Sequence, residues 1–138
     1  RYEEEEEEEE DSWEAPSSDG SVSSTRSAIA AYAESFVGNL DYVYGGNSLT
    51  SGVDCSGFVQ QIFRTYGISL PRTSGSQGSS GRRISYDEIQ PGDLVHYSGH
   101  IAIYIGNGQV VHASSPSTGV KISTWNYRSV ESIRNVID

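Results

Sequence analysis

Apolar residues recur at steps of three and four between Thr25 and Tyr66 and at steps of two from Leu94 onward. That change of period is the strongest constraint on what this chain folds into. The helical period is carried first by Ile29, Ala33, Phe36, Val37 and Leu40, with Ser24 or Thr25 placed to cap and an end expected near Gly38. A second helix is marked by Phe58, Val59, Ile62, Phe63 and Tyr66, with Asp54 as N-cap and Gly67 as terminator. The two-residue period predicts strands over Leu94–Tyr97, His100–Ile105, Gln109–Ala113, Val120–Ser123 and Ile133–Ile137, preceded by a short helix around Tyr86–Ile89. Helices first and antiparallel strands afterwards imply an α+β fold, with the helices packed on an antiparallel sheet or a small, partly open barrel.

A chain of 138 residues supports one core rather than two. Its formal charge of −10 belongs to residues 1–20, which hold eleven of the 19 acids and one base, leaving residues 21–138 neutral. An uninterrupted Glu run repels itself and buries nothing, so residues 1–24 read as a disordered acidic linker and residues 25–138 as the folded domain. Trp13 is the one residue of that linker suggesting a contact. The domain has a single lysine, Lys121, and no basic stripe, which argues against nucleic acid as a partner. No run approaches the ~20 apolar residues that cross a bilayer, so membrane insertion is not expected. A chain that starts at Arg1 without Met and opens on a linker is expected to continue upstream into a further domain, and the domain itself is expected to be monomeric.

One Cys excludes an internal disulfide and leaves Cys55 as either a packed interior thiol or a reactive one. It precedes Phe58 and Val59 by three and four residues, so it shares their buried stripe from the first turn of the second helix. There the free N–H groups and the macrodipole favour an anion and are expected to lower the thiol pKa. Gly57 is expected to let a substrate approach this backbone. A nucleophilic thiol also needs a base, and His96, His100 and His112 all fall on predicted strands. If Gly106–Asn107–Gly108 forms a three-residue hairpin loop, Ile105 pairs with Gln109 and His112 lies opposite Ala102, diagonal to His100 on the same face. Diagonal partners stand about 7–8 Å apart at the backbone, close enough for two imidazoles to meet. A two-residue loop would instead send them to opposite faces, so the pairing of the histidines requires the odd loop. Ala102, being small, is expected to leave room for the helix carrying Cys55. His96 and His100 have a metal spacing only on a helix, and this segment reads as strand, so no metal site is expected. Strand histidines are often simply hydrogen-bonded interior residues, and local pattern alone leaves both readings open.

The blocks VDCSGFVQQIF, LPRTS, QPGDLVHY and GHIAIYIGNGQVVHASS, in this order and spacing, closely resemble the NlpC-type cell-wall cysteine peptidases, the γ-D-glutamyl-diamino acid endopeptidases, from about Ala28 to the C-terminus. Four collinear blocks are far more specific than DCSGF alone. The resemblance implies a papain-like fold, with Cys55 as nucleophile, His100 as base and His112 as the group orienting it. It implies that Tyr42, in YVYGG, reaches towards the cysteine, and that Asp54, Ser56, Arg72 and Ser74, with Gln77, line the substrate groove. It further implies a secreted or cell-wall-associated hydrolase of peptidoglycan stem peptides that needs no cofactor and cuts between D-γ-glutamate and the diamino acid. The short YSGH segment is expected to lower the cleft wall above His100. Two other functions remain open: a cysteine acyltransferase or amidase acting on another amide, and a cell-wall binding module with an idle thiol.

Overall fold

The computed structural model describes residues 19–138. Helix α1 spans Asp19–Glu34, a short hairpin pairs β1 (Asn47–Ser48) with β2 (Gly52–Val53), and α2 (Cys55–Thr65) and α3 (Ser74–Gln77) follow. Then come β3 (Arg82–Ile84), a 3-10 turn (Tyr86–Glu88), β4 (Leu94–Tyr97), β5 (His100–Gly106), β6 (Gln109–Ser115), β7 (Gly119–Thr124) and β8 (Val130–Asn135). The last six strands form one antiparallel sheet in the order β3-β8-β4-β5-β6-β7. Its edges, β3 and β7, do not pair with each other, so it is an open sheet rather than a closed barrel.

Alternation along the strands splits the apolar residues between two clusters. Ile101 and Ile103 of β5, Val111 and Ala113 of β6, Leu94 and Val120 pack against Ile29 and Ala33 of α1 and Phe58, Val59, Ile62 and Phe63 of α2. Val95, Tyr97, Ala102, Tyr104 and Val110 form a second cluster, covered by Ile89, Trp125 and Val130. Ala102 therefore does not make room for the helix that carries Cys55, because it belongs to the opposite face. Full burial of Phe58 and Phe63 contributes about 1.5–3 kcal/mol each and anchors the helix that carries Cys55.

Several element boundaries differ from expectation. α1 runs through Ser24 and Thr25, so neither caps it, and it takes in the last residues of the segment read as linker. The remainder of that segment, with Trp13, lies outside the described residues. The helix stops at Glu34, and the chain continues through tight turns that still deliver Phe36, Val37 and Leu40 to the core. Strand β8 ends at Asn135, whose side chain accepts from the N–H groups of Ile137 and Asp138 and turns the chain out of the sheet. Buried Arg26 ties α1 to the sheet, donating to Asp93 at 2.8 Å, Pro91 O at 3.0 Å and Asp138 at 2.5 Å.

The hairpin that decides the histidine geometry is built differently from the sequence expectation. Gly106 pairs with Gln109, so the loop is the two residues Asn107 and Gly108, both at positive φ (55° and 73°), the backbone of a type I′ turn. One extra residue, Ile105, then bulges on β5 between the Tyr104 and Gly106 pairs, and Tyr104–Val110 and Ile103–Val111 return to the register that a three-residue loop would give. The two-residue turn and the bulge together have the parity of the odd loop, and His100 and His112 stay on one face.

Candidate active site

Asp54 caps α2 through its side chain, Oδ1 accepting from Gly57 N at 2.7 Å, so Cys55 is the first helical residue. The backbone N–H groups of Ile101, Ser56 and Cys55 itself favour the thiolate. Burial nonetheless dominates, Asp54 adds repulsion, and the thiol pKa is raised rather than lowered. The helix-start effect is present, but residue exposure of 8% outweighs it. The influence of the Ile101 N–H on the thiol puts Cys55 near the start of β5, where His100 lies. Gly57 serves the chain's own packing: a Cβ there would collide with the Gly46 carbonyl oxygen, so the close approach is by the Gly46 turn and not by a substrate.

His100 opens β5 and His112 sits in β6, with His100 Nε2 and His112 Nδ1 2.7 Å apart and the rings edge-on at 4.9 Å between centroids. The pair is buried, at 7% and 1% exposure. Desolvation pushes His100 down to about 4 and His112 to about 3, with Arg128 lowering both and His100 and Lys121 lowering His112 further. At neutral pH both imidazoles are therefore uncharged. The hydrogen bond to His112 occupies Nε2 of His100 and leaves Nδ1 as the nitrogen available to a reacting group.

Tyr42 is half-buried and its backbone bridges Val53, two residues before Cys55. Burial, then the charges of Cys55 and Asp54, raise its phenol. Arg72 braces the same corner: it donates to Ser56 Oγ at 2.8 Å, Asp54 Oδ2 at 3.0 Å and Gly46 O at 3.2 Å. That ion pair and the Gly57 N–H hold the Asp54 carboxyl below its usual range against the opposing effect of burial, which is the largest single influence on it. Ser74 opens α3, half-buried. Gln77 does not line a groove. It is fully buried and acts as a strut, its amide donating to Ser56 O at 3.0 Å and Pro71 O at 2.8 Å. His96 is apart from the pair, facing the opposite side of the sheet beside Gly78 and Glu131, and among the described residues no group of His, Cys, Asp and Glu could hold a metal ion.

Three residues near the histidines carry no signal in local sequence. Ser123 Oγ lies 2.8 Å from His112 Nε2. The Tyr127 ring stands 5.2 Å from that of His112 and 5.3 Å from that of Tyr97. Arg128 donates to Ser98 O at 2.9 Å with its guanidinium 5.7 Å over the Tyr97 ring. The turn between β4 and β5 is only Ser98–Gly99, but the β7–β8 connection folds over it, so the cleft wall beside His100 is supplied from elsewhere in the chain. Ser123 could have been found by extending the strand register past the turn before Gly119, since His112 pairs with Lys121 and is thus diagonal to Ser123.

The structure thus combines a buried thiol at a helix start with two linked neutral imidazoles on adjacent strands, on helices packed against an open antiparallel sheet. The model of the NlpC/P60 family matches residues 38–134. The chain belongs to the NlpC/P60 family, a family of peptidases. It is 46% identical over 99 residues to the probable endopeptidase p60 of Listeria innocua, spanning 68% of this chain and 20% of that protein. It is 46% identical over 87 residues to the murein DD-endopeptidase MepS/murein LD-carboxypeptidase of Escherichia coli K12, covering 59% of this chain and 46% of that one. To the gamma-DL-glutamyl hydrolase of Bacillus subtilis it is 41% identical over 102 residues, 71% of this chain and 24% of the relative. The solved peptidoglycan hydrolase RipB of Mycobacterium tuberculosis superposes with a TM-score of 0.75 at 29% identity, over 86% of this chain and 68% of that one. The chain thus spans about a fifth of the length of p60 and less than half that of MepS.

Proposed function

We propose that this domain is a peptidoglycan hydrolase in which Cys55 attacks an amide of the stem peptide and His100 moves the protons. The observation that carries this reading is a buried Cys55 at the capped start of α2 together with a buried His100 whose Nε2 side is fixed by His112 at 2.7 Å. With the thiol raised and the imidazoles neutral, the resting pair is S–H and imidazole. Cys55 passes its proton to His100 Nδ1 as the sulfur bonds to the carbonyl carbon. The Cys55 and Ser56 N–H groups, in the first turn of α2, are suited to hold the oxyanion. Collapse breaks the C–N bond, and the proton on His100 goes to the departing amine. Water, deprotonated by His100, then cleaves the thioester, releasing a carboxylate and restoring the thiol.

The bond we assign is that between D-γ-glutamate and the diamino acid, supported by the motif blocks around Cys55 and His100 and by the γ-glutamyl specificity in the name of the Bacillus subtilis relative. Tyr42, Asp54, Ser56, Arg72 and Ser74 form the acyl side of the groove in this reading. The DD-endopeptidase name of the Escherichia coli relative favours one alternative, the cross-linking amide. Secretion and an upstream domain fit a substrate outside the cell and the limited share of the longer relatives that the chain spans.

Incubating the domain and its Cys55→Ala variant with defined muropeptides, followed by mass spectrometry, separates these readings. Cleavage after D-glutamate that requires Cys55 supports the assignment, and cleavage of cross-links alone replaces the bond. Products appearing only with an added amine indicate acyl transfer, while binding without turnover or thiol alkylation indicates an idle module.

A further inference from the structure

The hydrogen-bonded line that begins at His100 does not end at His112. His112 Nε2 lies 2.8 Å from the hydroxyl of Ser123, on β7, so Ser123, His112 and His100 are linked in series along one face of the sheet. A neutral imidazole carries one N–H, and this couples the three residues. For His100 to accept a proton at Nδ1, its Nε2 must hold the hydrogen and donate to His112 Nδ1. His112 must then carry its own hydrogen on Nε2, where the group facing it is Ser123 Oγ. In the opposite arrangement His112 Nδ1 donates to His100 Nε2, the His100 hydrogen sits on Nδ1, and no lone pair is left for the thiol. Both arrangements satisfy the contact between the rings, so that contact alone does not select between them.

We infer that Ser123 is a positioning residue of the site, accepting the His112 Nε2–H and thereby keeping His100 in the tautomer that can take a proton from Cys55. The demand is the same after proton transfer. His100 as imidazolium donates from Nε2 to His112 Nδ1, and the polarised His112 Nε2–H again needs an acceptor. Ser123 is half-exposed, so its own hydroxyl hydrogen can go to solvent while its lone pairs face the ring. Without it His112 Nε2, in a residue 1% exposed, loses its partner and the unproductive tautomer gains weight.

The inference rests on His100 being the base, and the test keeps the two claims apart. Turnover of a defined muropeptide is compared for the unmodified domain, Ser123→Ala and Ser123→Thr, while 15N imidazole shifts at neutral pH report the tautomers independently of activity. The expected result is a kcat lower by roughly 10- to 100-fold in Ser123→Ala with KM little changed, the range met when the hydrogen-bond partner that orients a metal-ligating imidazole is removed. Ser123→Ala should also gain Nδ1-protonated His100, and Ser123→Thr should restore both readouts. Unchanged tautomers in Ser123→Ala overturn the inference, and so does equal loss in the Ala and Thr variants with tautomers intact, which would reduce Ser123 to packing. An unmodified domain that does not turn over muropeptides overturns the proposed function and leaves the tautomer measurement to decide the relay.

Discussion

Single residues set the protonation chemistry, and burial is the deciding influence. The thiol is raised and His100 lowered to about 4, so the resting form at neutral pH is the uncharged pair. In the proposed mechanism, protonating His100 removes the base, which gives an expected acid limb of kcat/KM near pH 4 instead of near 6.5, with activity still at its plateau at about pH 6; a pH profile on a soluble muropeptide checks this. The sequence put Cys55 at a helix start and anticipated a depressed pKa, because a local pattern displays the N–H groups but not how much water the completed core excludes. Gly57 teaches the same lesson. Its role is to admit the Gly46 carbonyl, so Gly57→Ala is expected to push α2 off the Gly46 turn, destabilising by about 1–3 kcal/mol and displacing Cys55. Thermal unfolding and alkylation of the thiol would register both effects.

At the scale of elements, the site is made where α2 meets β5 and where the β7–β8 connection covers β4–β5. α2 was legible in the sequence because its cap, stripe and terminator are all local: Asp54, Phe58 to Phe63 and Gly67. The histidine pair was legible only through register, and there a two-residue turn with a bulge at Ile105 replaced the three-residue loop with the same parity. The short β1–β2 hairpin and β3 have too few residues to display a period, and Tyr127 and Arg128 approach the histidines only through tertiary folding. Arg128 bears a consequence of its own. It lowers both histidines electrostatically, so Arg128→Gln is expected to move the acid limb upward, by less than about one pH unit since the cation is exposed and screened. The difference from the unmodified domain should shrink in 1 M salt, and Arg128→Lys should restore most of it.

For the whole molecule, holding two uncharged imidazoles in one buried contact ties stability to pH. Unfolded, each titrates near 6.5; folded, His100 titrates at about 4 and His112 at about 3. A depressed basic group means that the unfolded chain binds protons first, so stability is fully present above pH 6.5 and falls as pH drops towards the folded values. Between pH 7 and pH 5 the loss is on the order of 2 kcal/mol for each histidine, a few kcal/mol for the coupled pair. Asp93 opposes this, since burial raises its carboxyl despite Arg26. The lowered Asp54 extends the acid loss further down. A domain whose stability is typically 5–15 kcal/mol should thus show a marked fall in Tm by pH 5. In a His100→Gln/His112→Gln double variant, calorimetry at the two pH values is expected to show most of that fall gone, even if the variant is less stable at pH 7. A slope as steep as that of the unmodified domain would mean that the acid sensitivity arises elsewhere, with the buried Arg26–Asp93–Asp138 tie between α1 and the sheet as the next place to look.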